Sequence, residues 1–156
     1  MRSVIQRVLR AAVRVEGAVV GAIGKGALVL LCIEVGDGDS EVEVGARKLC
    51  GLRFFPGRTP MDLTLAEVGG SVLVVSQFTL AGSLVKGNRP SFTAAADPAT
   101  AERLCDLYVA KLRALGLPVA TGKFAADMQV ELVNDGPVTF VQDVRQGAVV
   151  GLHAET

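Results

Sequence analysis

Apolar residues along this chain fall mostly in short blocks and take on helical spacing in two places, a pattern that interleaves strands with helices. Val13-Arg14-Val15 and Ala18-Val19-Val20 flank Glu16-Gly17, where glycine supplies the positive φ of a tight hairpin. Ala27 to Ile33 is an unbroken aliphatic run, too short for a typical helix and closed by Gly36-Asp37-Gly38, which predicts a strand covered on both faces. A helix follows. Ser40 and Glu43 have capping-box spacing, and Val42, Ala46, Leu49 and Cys50 share one face, although Gly45 costs about 1 kcal/mol relative to alanine.

Val72-Leu73-Val74-Val75 predicts another buried strand. The second helix is better marked: Asp97 caps, Pro98 fits the first position, and Ala101, Leu104, Cys105, Tyr108, Leu112 and Leu115 make an apolar stripe that ends at Gly116 and Pro118. Met128, Val130 and Leu132 alternate with polar residues as in a half-buried strand, Asn134-Asp135-Gly136-Pro137 has the composition of a turn, and Val138-Thr139-Phe140-Val141 predicts a strand after it. This order predicts a mixed α/β chain with its two main helices on one side of stacked sheets, a three-layer β/β/α sandwich of largely antiparallel strands. One domain is expected over residues 1–145, with a loose tail over 146–156.

Composition narrows the setting. A chain of 156 residues, half of them apolar, is long enough for one sizeable core. Sixteen basic residues balance sixteen acidic ones, so no net field steers the molecule toward nucleic acid, and any RNA binding is expected to be local. Cys32, Cys50 and Cys105 are odd in number, lack CxxC spacing and sit among apolar residues, as expected of reduced core cysteines in a cytoplasmic protein. Charge interrupts the opening Met1 to Arg7 too early for a signal peptide, and no apolar run approaches the roughly 20 residues of a membrane span.

The candidate chemistry begins where the apolar strand ends, at Ser76-Gln77-Phe78-Thr79-Leu80. On a regular strand Ser76 and Phe78 face one way and Gln77 and Thr79 the other, so a site using all four needs a bend. The plain alternative is that Ser76 and Thr79 satisfy local backbone groups while Phe78 and Leu80 fill the core. Usual catalytic groups are missing: the single histidine, His153, is three residues from the last one, which argues against a serine-histidine-acid triad. Scattered cysteines and that histidine offer no metal-ligand cluster. Gly21-Ala22-Ile23-Gly24-Lys25-Gly26 lacks phosphate-loop spacing and reads as a turn. Lys86-Gly87-Asn88-Arg89-Pro90-Ser91-Phe92 combines two cations, an amide and an aromatic ring, suited either to phosphate and a stacked base or to a solvated loop.

Together, Val75-Ser76-Gln77-Phe78-Thr79-Leu80, Lys86 to Phe92, Thr121-Gly122-Lys123-Phe124 and Asn134-Asp135-Gly136-Pro137-Val138-Thr139 closely resemble the D-aminoacyl-tRNA deacylases of the bacterial and general eukaryotic type. Ile5-Gln6-Arg7-Val8 and Gly69-Gly70 are similar too, so the resemblance runs through about Asp143. It implies a homodimeric, metal-free and cofactor-free hydrolase that cuts the ester between a D-amino acid, or glycine, and the terminal ribose of tRNA. The implied partners are D-aminoacyl-tRNA, glycyl-tRNA and a second copy of the chain, without membrane or DNA. Ser76, Gln77, Phe78 and Thr79 are then the catalytic floor. Gly136 and Pro137, joined by a cis peptide, enter the site of the partner subunit and select chirality, while Lys86, Arg89, Phe124 and Met128 contact substrate.

Such a reaction can dispense with a protein base. An aminoacyl ester on ribose has a neighbouring hydroxyl, and positioning that hydroxyl with a water can replace side-chain catalysis. Backbone N–H groups around Gln77 and Phe78 are candidates to hold the oxyanion, with the Thr79 hydroxyl polarising the ester. Thr79 as a nucleophile is the competing version. The chain departs from the family pattern where Gly82-Ser83-Leu84-Val85 lacks an acidic residue, at Pro56-Gly57-Arg58-Thr59-Pro60, and in its longer tail. A non-catalytic RNA-end or nucleotide-binding module is the alternative from another class.

Overall fold

In the computed structural model, which describes residues 1–150, β1 (Arg2–Val15) and β2 (Ala18–Ile23) form the opening hairpin. Glu16 and Gly17 between them have φ of 49° and 80°, the left-handed pair that a two-residue hairpin requires. β3 (Gly26–Cys32), β4 (Ser71–Ser76), β5 (Val119–Thr121), β6 (Gln129–Arg145) and β7 (Ala148–Val150) complete one mixed sheet of seven strands. Its order is β5-β4-β3-β1-β6-β7, with β2 also paired to β1. β4 runs parallel to β3 and β5, and the other pairings are antiparallel.

α1 (Asp39–Gly51) and α2 (Pro98–Ala114) cover one face of the sheet. Leu49, Leu104, Tyr108 and Leu112 from the helices pack there with Val29, Leu31, Val72 and Val74. The intervening strand residues Leu28, Leu73 and Val75 point the other way and join Val8, Ala11 and Val13 in a second apolar cluster. Both faces of β3 are thus buried, which is why its sequence lacks polar alternation. The β2 side closes tightly on β5: a Cβ at Gly21 would lie 2.2 Å from the Thr121 carbonyl oxygen, so only glycine fits. The expected layering therefore arises from one continuous sheet rather than two separate ones.

Several details differ from the sequence pattern. The α1 cap is Gly38 with Glu41, whose carboxylate accepts from the Gly38 N–H at 2.9 Å, rather than Ser40 with Glu43. Gly45 is tolerated because the Met1 side chain occupies the space its Cβ would take. Asp97 caps α2 as expected, accepting from the Thr100 N–H at 3.0 Å, but Leu115 leaves the stripe and is 49 % exposed beyond the last turn. Asn134–Pro137 is not a turn between two strands. β6 runs straight through it, because β1 offers a continuous partner and absorbs the irregularity as register shifts around Val8.

Of residues 146–156, Gln146 and Gly147 turn into β7, which pairs with β6. His153 and the rest of 151–156 lie outside the described residues. Among the described residues, no helix is long and apolar enough to cross a membrane.

Candidate active site

β4 carries apolar residues up to Ser76, where its alternation stops. Gln77, at φ −145° and ψ 73°, breaks the strand, and a 3-10 turn follows over Phe78–Ala81. The break brings Ser76, Gln77 and Phe78 onto the wall of one cavity of about 550 Å³, which a regular strand would not allow. Phe124 and Met128, from the segment between β5 and β6, line the same cavity. In that segment Ala125 holds a left-handed φ of 59°, a conformation uncommon for a residue with a side chain.

Backbone hydrogen bonds at the strand end divide the available donors. The Gln77 N–H donates to the Leu31 carbonyl at 2.7 Å, so it is already engaged and leaves the set of oxyanion donors expected from sequence. Leu80 N–H donates to the Gln77 carbonyl at 3.2 Å and Gly82 N–H to the Thr79 carbonyl at 3.0 Å. Phe78 and Thr79 begin the turn, and among the described residues no backbone carbonyl accepts from their N–H groups. The Gln77 side-chain amide donates to Thr79 Oγ1. That hydroxyl is outside the cavity lining, and its partner is an amide rather than a base.

The lining has few titratable groups, Asp127 and Cys105. Burial pushes the Cys105 thiol up to about 12, so it is no thiolate at neutral pH. Cys32, behind the turn, is pushed up to about 11, again chiefly by burial. Among the described residues no group of three or more His, Cys, Asp or Glu side chains could hold a metal ion.

The remaining sequence candidates stand elsewhere. Lys86 and Arg89 are exposed in a loop whose base is pinned by the Ser83–Ser91 bridge. That loop meets the cavity through Phe92, which packs edge-on to Phe78 with ring centres 5.2 Å apart. Gly136 and Pro137, joined by a cis peptide, lie on β6 and do not line the cavity of their own chain. Arg7 holds that segment: its Nε donates to the Asp135 carbonyl at 2.9 Å and its Nη1 to the Phe54 carbonyl at 2.7 Å. Sequence reading missed the opposite wall, where Ala95, Ala96, Pro98 and Ala101 at the start of α2 leave room beside Phe78. The run Ala94-Ala95-Ala96 before a capping aspartate was the available signal.

Comparison with known proteins converges on one family. The family model described as D-Tyr-tRNA(Tyr) deacylase matches residues 4–143. A D-aminoacyl-tRNA deacylase of Methylococcus capsulatus is 58 % identical over 142 residues, covering 90 % of this chain and 93 % of its own. One from Anaeromyxobacter dehalogenans is 56 % identical over 147 residues, covering 94 % and 99 %. Among solved structures, one titled c-Myc DNA Unwinding Element Binding Protein superposes with a TM-score of 0.88 at 38 % identity, over 93 % of this chain and 99 % of that one. A probable eukaryotic D-amino acid tRNA deacylase shares the fold, with a TM-score of 0.77 at 17 % identity over 92 % and 98 %. With about nine-tenths of its length under the family model and more than half its residues shared with these relatives, the chain belongs to the D-Tyr-tRNA(Tyr) deacylase family.

Proposed function

We propose that the chain hydrolyses the ester joining a D-amino acid, or glycine, to the terminal ribose of tRNA, a proofreading step in translation. The observation that carries this reading is the cavity at the end of β4, where Phe78, whose backbone N–H is free like that of Thr79 next to it, meets an apolar wall without a thiolate or a nucleophile–base pair in the lining. Its volume of about 550 Å³ falls within the usual range for small-ligand pockets.

In this mechanism Phe78 and Thr79 N–H groups hold the oxyanion that forms when water attacks the ester carbonyl. Preorganised donors of this kind are worth about 10²–10³ in rate each. Ser76 and Gln77 form the floor, and the Gln77 amide fixes the Thr79 hydroxyl near the ester. The neighbouring ribose hydroxyl of the substrate takes the place of a protein base. Phe124 and Met128 contact the terminal adenosine, and Lys86 and Arg89 lie along the approaching RNA strand as cations for its phosphates.

Chirality is read by a second copy of the chain. Gly136 and Pro137 of the partner subunit enter the cavity and present main-chain carbonyls to the substrate ammonium, leaving space for hydrogen but no side chain on the L side. Glycine passes because it has no side chain to exclude. In support of a homodimer, Leu9, Leu132 and Val141 leave apolar surface exposed on the paired strands β1 and β6. With balanced charge and a cavity rather than an extended basic face, tRNA rather than duplex DNA is the proposed nucleic-acid partner, and the cytoplasm is the proposed compartment.

Incubating the pure protein with D-tyrosyl-, L-tyrosyl- and glycyl-tRNA tests this reading. Loss of the D- and glycyl esters with survival of the L-ester is expected. Protection of all three would instead identify a non-catalytic RNA-end binder.

A further inference from the structure

Behind the cavity, Cys32, Arg2 and Asp143 stand abreast on β3, β1 and β6, because Arg2 is the register partner of both the others. Directly opposed residues on antiparallel strands project to the same face, so the three side chains form one row across the sheet. Arg2 clasps Asp143 with two nitrogens, Nε to Oδ1 at 2.7 Å and Nη2 to Oδ2 at 2.9 Å, which fixes the plane of the guanidinium. Its third nitrogen, Nη1, donates to the Leu80 carbonyl at 3.4 Å. Cys32 Sγ lies 3.6 Å from the Phe78 carbonyl and at the same distance from that of Ile33. Burial keeps this thiol protonated at neutral pH, so it acts as a donor.

Phe78 and Leu80 belong to the same 3-10 turn. Carbonyls in a helical turn point toward its C-terminal end and N–H groups toward its N-terminal end. Anchoring two carbonyls on the row therefore directs the unpartnered N–H groups of Phe78 and Thr79 toward the end where Ser76 and Gln77 line the cavity. No other side chain among the described residues donates to these two carbonyls.

We propose that Arg2, locked by Asp143, and Cys32 are positioning residues for the deacylation reaction: they aim the donors of the Phe78–Ala81 turn without touching substrate. The proposal rests on the deacylase reading given above. It assigns a task in catalysis to an ion pair and a buried thiol that would otherwise count as packing. Because the row acts on donor direction, its loss weakens stabilisation of the transition state and leaves ground-state binding nearly intact.

The test is steady-state hydrolysis of D-tyrosyl-tRNA by the full chain, at a temperature where circular dichroism shows each variant folded. Arg2→Met should lower kcat about tenfold, the equivalent of one net hydrogen bond, with KM changed less than about twofold. Asp143→Asn should also lower kcat, and the double variant should be no worse than Arg2→Met alone, because both act through one contact. Cys32→Ala should lose about threefold in kcat and Cys32→Ser should recover it, since the hydroxyl restores a donor. Unchanged kcat in Arg2→Met, or equal behaviour of the two Cys32 variants, would overturn the proposal; if Arg2→Met does not fold, the Cys32 pair decides. Wild-type protein that leaves the D-ester intact would overturn the deacylase reading itself, whereas active wild type with equally active variants overturns only the role of the row.

Discussion

Arg7 joins β1 to the segment that carries Gly136 and Pro137, and its removal should be felt in both stability and turnover. Its guanidinium satisfies the carbonyls of Asp135 and Phe54, and its Nε also lies 3.1 Å from the Asp135 carboxylate. The Arg7 side chain is 11 % exposed and that of Asp135 is 34 % exposed. In Arg7→Met the carboxylate can turn to water, so the ion pair accounts for little, on the order of 1 kcal/mol or less. The two carbonyls are the larger loss. A buried polar group left without a partner costs about 1–3 kcal/mol, and Phe54 is fully buried, which puts the total at roughly 2–4 kcal/mol. For a chain of this size that corresponds to a fall of roughly 5–15 °C in Tm. Urea unfolding followed by circular dichroism measures it directly, and the slope should be unchanged if both states keep their compactness. Arg7→Lys should recover less than half, because a single ammonium cannot reproduce the planar fork that reaches two carbonyls. D-tyrosyl-tRNA turnover by folded Arg7→Met should fall as well. A variant within about 0.5 kcal/mol of wild type, the range of ordinary surface changes, would refute the reasoning.

Other outcomes follow from the site and its surroundings. Thr79→Ala should slow hydrolysis by no more than about 10²–10³ and leave measurable turnover, since its backbone N–H remains; trapping an aminoacyl ester on Thr79 would refute the non-covalent mechanism. Cys105→Ser should keep kcat within about threefold of wild type, because a thiol raised to about 12 is not the attacking group; complete loss in a folded variant would reverse that view. Glu41 accepts from Ser40 Oγ, Gly38 N–H and Gly147 N–H, and the Ser40 hydrogen bond first among these pulls its carboxyl from 4.5 to about 2. Its stabilisation is therefore present above pH 4.5 and lost as pH falls toward 2, so Glu41→Gln should lower stability at pH 7 and flatten the decline over that window. Urea midpoints at a series of pH values would measure both effects.

The elements that were legible in the sequence are those whose signals are local. Glu16-Gly17 specifies its hairpin through backbone φ, and Asp97-Pro98 specifies the start of α2 through one cap and one missing N–H. Where a neighbour decides, local signals mislead. Asn134-Asp135-Gly136-Pro137 has turn chemistry, yet the long partner strand β1 and the grip of Arg7 carry it through as part of β6. Gly45 looked like a flaw in a helix and instead makes room for Met1. At the site, the strand-end residues Ser76 to Phe78 were visible because an apolar run stops abruptly there. The spent N–H of Gln77 was not, since it depends on the Leu31 carbonyl of a strand far away in sequence. The small residues of the α2 wall contribute by leaving space, and only the alanine run before Asp97 marks them in the sequence.

In the proposed mechanism, backbone donors and the substrate's own ribose hydroxyl suffice for the chemistry, with no side-chain base or nucleophile. Single-turnover hydrolysis of D-tyrosyl-tRNA ending in adenosine, compared with the same tRNA ending in 2′-deoxyadenosine, addresses it directly. Both should be bound with similar affinity, and the deoxy substrate should be cleaved at least about 10²-fold more slowly, the lower range for losing a positioned general base. Equal rates for the two substrates would contradict it.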